Sequence, residues 1–281
     1  MPLGRYCVII NNIIKTKEGI PIMKIGIIDS GIGGLSVLHR ARKMIPDGYF
    51  IYYADEKNVP YGEKSPEQIR EFMDGILKFV IDKGADAIVI ACNTATSALT
   101  MEYRANFGVP IVGMEPAVKK AVELYGNEKK DILVVATPVT INGKKLHELV
   151  DRVDKAHKVS LAELPGLVRF AENGEFYSDK VEEYIKNALS AHELCKYGTV
   201  VLGCTHFNYF KNVFKQIFGE RVHFVDGNEG TVRQLIRVMP NNAEQTESGV
   251  EYYFSGEKPD EAGKRKIEEC IKQLNAVYDI N

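Results

Sequence analysis

Short apolar runs rich in isoleucine and valine alternate along the chain with longer stretches in which apolar residues recur every three or four positions. A short run bounded by polar residues reads as a buried strand, and the longer period as a helix with one face on a core. The pattern predicts strands at 24–28, 49–53, 87–91, 109–112, 131–136, 158–162, 199–203 and 222–225, joined through helices into an α/β fold with mainly parallel sheets. Between the second and third strands, Ser65-Pro66-Glu67-Gln68 is a capping-box signature with proline at the first helical position. Ile69, Phe72, Met73, Ile76, Leu77 and Val80 then share one face, and Gly84 is the stop.

The pattern repeats. Ala87-Ile-Val-Ile-Ala-Cys-Asn-Thr matches Thr199-Val-Val-Leu-Gly-Cys-Thr-His, and Lys24-Ile-Gly-Ile-Ile-Asp-Ser matches Asp131-Ile-Leu-Val-Val-Ala-Thr at nearly the same offset. Two similar α/β halves follow, each with a cysteine-bearing loop at the C-terminal end of a strand, where open α/β sheets bind ligands. The site is expected between the halves.

Cys92 ends one such strand, with Asn93 and Thr94 offering capping oxygens to a helix running through Ala95, Ala98, Leu99 and Met101. A sulfur at the positive end of a helix is expected to have a lowered pKa, suited to a nucleophile or a general base. Cys204 repeats the arrangement, with His206 two residues on and Phe210, Val213, Phe214 and Ile217 on a helix face ending near Gly219. A free cysteine is most often a small buried hydrophobe, the reading kept for Cys7, Cys195 and Cys270, but two matched strand-cysteine turns argue against it here.

Asp29-Ser30-Gly31-Ile32-Gly33-Gly34 leads from the first strand into a helix through Leu35, Val37, Leu38, Ala41 and Ile45, which invites comparison with a dinucleotide-binding turn. The fit is poor, since Ser36 takes the third glycine position and a carboxylate sits where a pyrophosphate would approach; Asp55 stands where a ribose-binding acid would be. Asp29 could equally cap the next helix. Tyr61 and Gly62 lie in a loop on the same sheet edge as Cys92, with Gly62 able to bring backbone N–H near an anion. Cys204 and His206 alone are too few ligands for a metal.

Composition narrows the class. Of 281 residues, 36 are Lys or Arg and 38 Asp or Glu, a formal net charge of −2 without long single-sign runs, which argues against a nucleic-acid or membrane-surface partner. No apolar run reaches the roughly 18 residues of a membrane span. Five cysteines without a C-x-x-C pair point to a reducing, cytoplasmic setting. Residues 1–22 make a poor signal peptide, and Met23 directly before a strand suggests that they are an upstream extension, with an extra hairpin as the competing reading.

Ile25-Gly-Ile-Ile-Asp-Ser-Gly-Ile-Gly-Gly-Leu35, Val59-Pro-Tyr-Gly-Glu-Lys-Ser65, Ala91-Cys-Asn-Thr-Ala95 and Leu202-Gly-Cys-Thr-His206 resemble, in order, the motifs of the glutamate racemase family of the aspartate/glutamate racemase superfamily, and Gly113-Met-Glu-Pro116 and Phe224-Val-Asp226 add to the match. The resemblance implies two pseudo-symmetric α/β domains enclosing glutamate, here 23–115 with 226–281 and 116–225. It implies cofactor-independent, two-base racemisation that supplies D-glutamate for peptidoglycan, in a homodimer. By the same resemblance Cys92 deprotonates D-glutamate with help from Asp29, and Cys204 deprotonates L-glutamate with help from His206, with Glu172 as a helper of His206. Ser30, Tyr61, Gly62, Asn93, Thr94 and Thr205 would hold the substrate's carboxylates and ammonium.

The chain departs from the family pattern where a cysteine usually precedes Pro165, at Phe207-Asn208 in place of Tyr-Pro, at Gly227 in place of a serine, and at Asn142-Gly143 after the Thr137-x-x-Thr140 loop. Such changes leave aspartate racemase as a near rival. A cysteine-nucleophile hydrolase or acyltransferase, needing one activated thiol, and a nicotinamide-dependent oxidoreductase are the readings from other classes.

Overall fold

The computed structural model describes residues 23–239 and 248–280; the expectation for residues 1–22 lies outside them. Among the described residues nine strands form two sheets: β1 (Lys24–Asp29), β2 (Tyr49–Ala54), β3 (Ala85–Ile90), β4 (Ile111–Gly113), β5 (Asp131–Ala136), β6 (Val159–Glu163), β7 (Tyr197–Leu202), β8 (His223–Asp226) and β9 (Gly249–Phe254). The first sheet has the order β4-β3-β1-β2-β9 and the second β6-β5-β7-β8, every ladder parallel. All eight expected strands are present, with ends shifted by one or two residues.

The duplication is structural. β2-β1-β3-β4 superposes in order on β6-β5-β7-β8, and the same register irregularity recurs at the start of β1 against β3 and of β5 against β7. Ala87 pairs with Ile25 and Thr199 with Ile132, so the two matched sequence segments occupy equivalent places. β9, missing from the sequence reading, extends the first sheet beyond β2. Its residues are mostly half-buried, and Glu251 sits mid-strand where it pairs with the buried Lys24 at 3.0 Å.

β1 and β7 are buried at every position because helices cover both sheet faces. On the first sheet Ile25, Ile27, Tyr52 and Val89 face one cluster, which continues through Leu133, Val135, Val200 and Leu202 of the second sheet, while Ile28, Ile51, Ile88 and Ile90 face the helix Pro66–Asp82. That helix begins as expected: Ser65 Oγ accepts from Gln68 N, and Gln68 Oε1 accepts from Ser65 N at 2.9 Å. Gly84, at φ +91°, turns the chain into β3.

The chain passes between the sheets twice, after β4 and after β8, and the two connections touch. Thr231 Oγ1 donates to Met114 Sδ at 3.2 Å, and a Cβ on Gly227 would overlap Met114 Sδ and come within 2.7 Å of Glu115 O. A side chain at position 227 would therefore require Met114 and the Glu115 carbonyl to shift.

Candidate active site

In each sheet the connections leave the central strand in opposite directions, so the loops after β1 and β3, and after β5 and β7, flank a switch point. Cys92 follows β3 and Cys204 follows β7, with relative exposures of 6% and 7%.

Cys92 differs from the sequence expectation. The cysteine itself is the N-cap, its sulfur accepting from Ala95 N at 3.4 Å, whereas Asn93 and Thr94 lie inside the first turn. The helix is only Asn93–Ala98; it breaks at Leu99, and Met101 begins a second short helix with its side chain exposed. So short a helix offers little field, and burial dominates: desolvation, reinforced by the nearby Asp29 carboxylate, pushes the Cys92 thiol well above the ordinary thiol range. Cys92 is thus held as a thiol, and it donates to Ser30 Oγ at 3.6 Å.

Cys204 has another setting. A 3-10 turn, Thr205–Phe210, separates it from the helix Lys211–Phe218, and its side chain makes no cap. Its sulfur lies 3.8 Å from His206 Nδ1, and His206 Nε2 lies 2.7 Å from Glu172 Oε1. Burial alone would lower the His206 pKa, but the hydrogen bonds to Cys204 and Glu172, with their charges, raise it well above the usual value, which favours the protonated ring. Glu172 is pushed up by burial and pulled down further by His206 and Lys266, to about 2.

Asp29 does not cap a helix. Its Oδ2 accepts from Thr205 Oγ1 of the other half at 3.2 Å, and its Oδ1 is buried without a hydrogen-bond partner among the described residues. Desolvation raises its pKa to about 6, against the lowering effect of the His206 charge. Asn93 Oδ1 is likewise buried and unpartnered among the described residues. Two unsatisfied acceptors beside the thiols suit a ligand that brings hydrogen-bond donors.

Thr94 Oγ1 meets Thr137 Oγ1 at 3.0 Å, and Thr137 meets Thr140 Oγ1 at 3.3 Å, a hydroxyl chain crossing from one half to the other. A Cβ on Gly62 would lie 3.2 Å from Thr137 Cβ, so this glycine serves close approach of the halves. Tyr61 is buried, its hydroxyl donated to Asp55 Oδ2 at 2.7 Å. Asp55 also accepts from Asn58 and Ser255, which engages the acid that a ribose would need.

The glycine-rich turn also has a local reason. A Cβ on Gly31 would overlap Glu172 Oε1, and one on Gly33 would come within 2.5 Å of His206 Nδ1 and Thr205 Oγ1. The glycines admit the histidine side of the other half, a different task from cradling a pyrophosphate. The structure thus gathers Asp29, Ser30, Cys92, Asn93, Thr94, Thr205, Cys204, His206 and Glu172 around the facing strand ends, with Tyr61 and Gly62 alongside. Sequence reasoning noted Thr137 and Thr140 only as a loop match and missed Lys266, whose Nζ lies 2.9 Å from Glu172 Oε2 and 2.7 Å from Glu56 Oε1. Thr137 could have been found from the repeat, where it is the counterpart of Ser30; Lys266 sits in an ordinary charged helix with no signal.

The profile of the Asp/Glu/hydantoin racemase family matches residues 35–235. The chain is 49% identical over 265 residues to a glutamate racemase of Campylobacter curvus, covering 92% of this chain and all of the relative. Its fold matches the crystal structure of Escherichia coli glutamate racemase in complex with L-glutamate and an activator, with a TM-score of 0.77 at 27% identity over 90% of this chain and 96% of that one. The Campylobacter jejuni glutamate racemase gives 0.75 at 26%, over 90% and 98%. Two facing α/β halves, paired cysteines at equivalent strand ends and these relationships make the chain a member of the Asp/Glu/hydantoin racemase family, an amino-acid racemase among its glutamate racemases.

Proposed function

We propose that the chain interconverts L- and D-glutamate without a cofactor, Cys92 and Cys204 working on opposite faces of the α-carbon. The observation that carries this reading is the pair of buried thiols at equivalent positions of two facing halves, each with its own polar partners. A thiolate at Cys204, stabilised by the His206 imidazolium, takes the α-proton of L-glutamate. Cys92, held as a thiol, gives its proton to the other face, leaving D-glutamate, a Cys204 thiol and a Cys92 thiolate; the reverse turnover runs the same protons back. Asp29 Oδ1 and Asn93 Oδ1 are the natural acceptors for the substrate ammonium, and the Thr94–Thr137–Thr140 hydroxyls and the N–H groups after Cys92 are donors for a carboxylate. The buried, preorganised donors supply what the weakly acidic α-proton demands, since a turnover near 10 per second permits a barrier of only about 16 kcal/mol.

The chain divides at the two touching connections into residues 23–115 with 226–281 and residues 116–225, and substrate enters when these move apart. No helix among the described residues is long and apolar enough to cross a membrane. We place the enzyme in the cytoplasm as a homodimer, supplying D-glutamate for peptidoglycan, with glutamate as its small-molecule partner and no nucleic acid or membrane involved. Circular dichroism of L- and D-glutamate and L- and D-aspartate incubated with the enzyme tests the substrate. Decay of the signal for both glutamate enantiomers and persistence for aspartate is expected; faster decay for aspartate would reassign the substrate.

A further inference from the structure

Glu172 joins His206 to the other half of the molecule through hydrogen bonds. It stands at the end of the helix Gly166–Glu172, on the same side of the cleft as His206. Its Oε1 accepts from His206 Nε2 at 2.7 Å and from Ile32 N, across the cleft, at 2.9 Å. Its Oε2 accepts from Lys266 Nζ at 2.9 Å, also across the cleft, on the helix Glu261–Ala276. Lys266 is anchored in turn by Glu56 at 2.7 Å, in the loop after β2. The side chains of Glu172 and Lys266 are 12% and 27% exposed, so water competes weakly for these bonds.

We infer that Lys266 is a positioning residue for the Cys204 half of the reaction, its ammonium fixing the Glu172 carboxylate against His206 when the halves are closed. The charges alternate along Glu56, Lys266, Glu172 and His206, ending at the Cys204 sulfur; Asp29 is the further carboxylate facing His206, through its interaction with that ring. Without Lys266, Oε2 loses its charged partner from the first half. The carboxylate can then rotate away from the imidazolium, and the Cys204 thiolate loses its stabilised counter-ion. Because two of Glu172's bonds cross the cleft, the full array exists only in the closed form, which couples closure to readiness of Cys204.

This role rests on the two-thiol reading, and the test separates the two. The enantiomers are equal in energy, so kcat/KM must fall equally in both directions, and the distinguishing signal is the primary isotope effect. In Lys266→Met, kcat/KM is expected to fall about tenfold to a hundredfold. The isotope effect should rise with [2-2H]L-glutamate, whose deuteron Cys204 removes, and fall with [2-2H]D-glutamate, whose deuteron Cys92 removes. Lys266→Arg should restore most of the loss. In a Glu172→Gln background, Lys266→Met should add less than about a twofold loss, because a residue acting through Glu172 has nothing left to position. Should methionine prevent folding, as judged by circular dichroism, Lys266→Gln is measured in its place with the same expectations. An undiminished loss in the Glu172→Gln background, or isotope effects unchanged in both directions, overturns the role of Lys266. Absence of α-proton exchange in the wild-type enzyme would instead overturn the two-thiol reading itself.

Discussion

Asp29 shows how one buried side chain ties stability to chemistry. Its carboxyl has a pKa of about 6 in the fold against an ordinary 3.8, with burial as the leading cause. Between pH 6 and 4 the folded protein binds more protons at this site than the unfolded chain, so this group's contribution makes stability rise as pH falls through that window. At neutral pH holding its charge in these surroundings costs about 3 kcal/mol net of the His206 attraction. Asp29→Asn is therefore expected to be more stable than wild type at pH 7.5 in urea unfolding, by up to that amount, with the difference closing towards pH 4; a difference independent of pH would contradict the assignment. Gly33 makes a second case. A methyl there meets His206 and Thr205, so Gly33→Ala should destabilise by about 1–3 kcal/mol and depress kcat well beyond the effect of a comparable surface substitution, as steady-state kinetics beside thermal unfolding would show. The two cysteines and His206 were legible from strand-end motifs and the repeat, whereas a role for Asp29 came only from the family resemblance, its strand-end position alone suggesting a helix cap. The electrostatic state of Cys92 was not, because desolvation is set by atoms far away in sequence and outweighs the helix end that the motif advertises.

Helices and strands followed the sequence where a local rule and tertiary packing agreed. The helix Pro66–Asp82 has its capping box, its apolar face and its glycine stop as read. Ser65→Ala removes an acceptor for Gln68 N and should cost about 1 kcal/mol in stability with racemisation intact; an unchanged unfolding midpoint would show that the cap contributes nothing. The helix after Cys92 breaks early because Leu99 turns extended, φ −110° and ψ 124°, and Thr100 caps a new helix through Tyr103 N. The apolar spacing of Leu99 and Met101 gave no sign of this. β9 escaped notice because Gly249–Phe254 is a half-buried edge strand whose mixed polarity lacks the continuous apolar run of β1 or β7. Its place beside β2 is a long-range pairing that no local pattern encodes.

At the scale of the molecule, the duplicated half is the organising fact. Equivalent strands carry Cys92 and Cys204 to facing ends of two sheets, the arrangement that the repeated strand-cysteine motif predicts. What symmetry concealed is how unlike the two thiols are. Cys92 is a buried thiol bonded to Ser30, while Cys204 belongs to an ionic chain through His206 and Glu172 that reaches the opposite half. On the two-thiol reading proposed above, Cys92 is the proton donor and Cys204 the acceptor on opposite faces of one carbon. The direct test is proton NMR of L- and D-glutamate in D2O with the wild-type enzyme, Cys92→Ser and Cys204→Ser. Wild type should exchange the α-proton and interconvert both enantiomers, and each variant should lose interconversion by about 10²–10⁴-fold. A variant lacking either sulfur that still interconverts the enantiomers at the wild-type rate would contradict the two-thiol account.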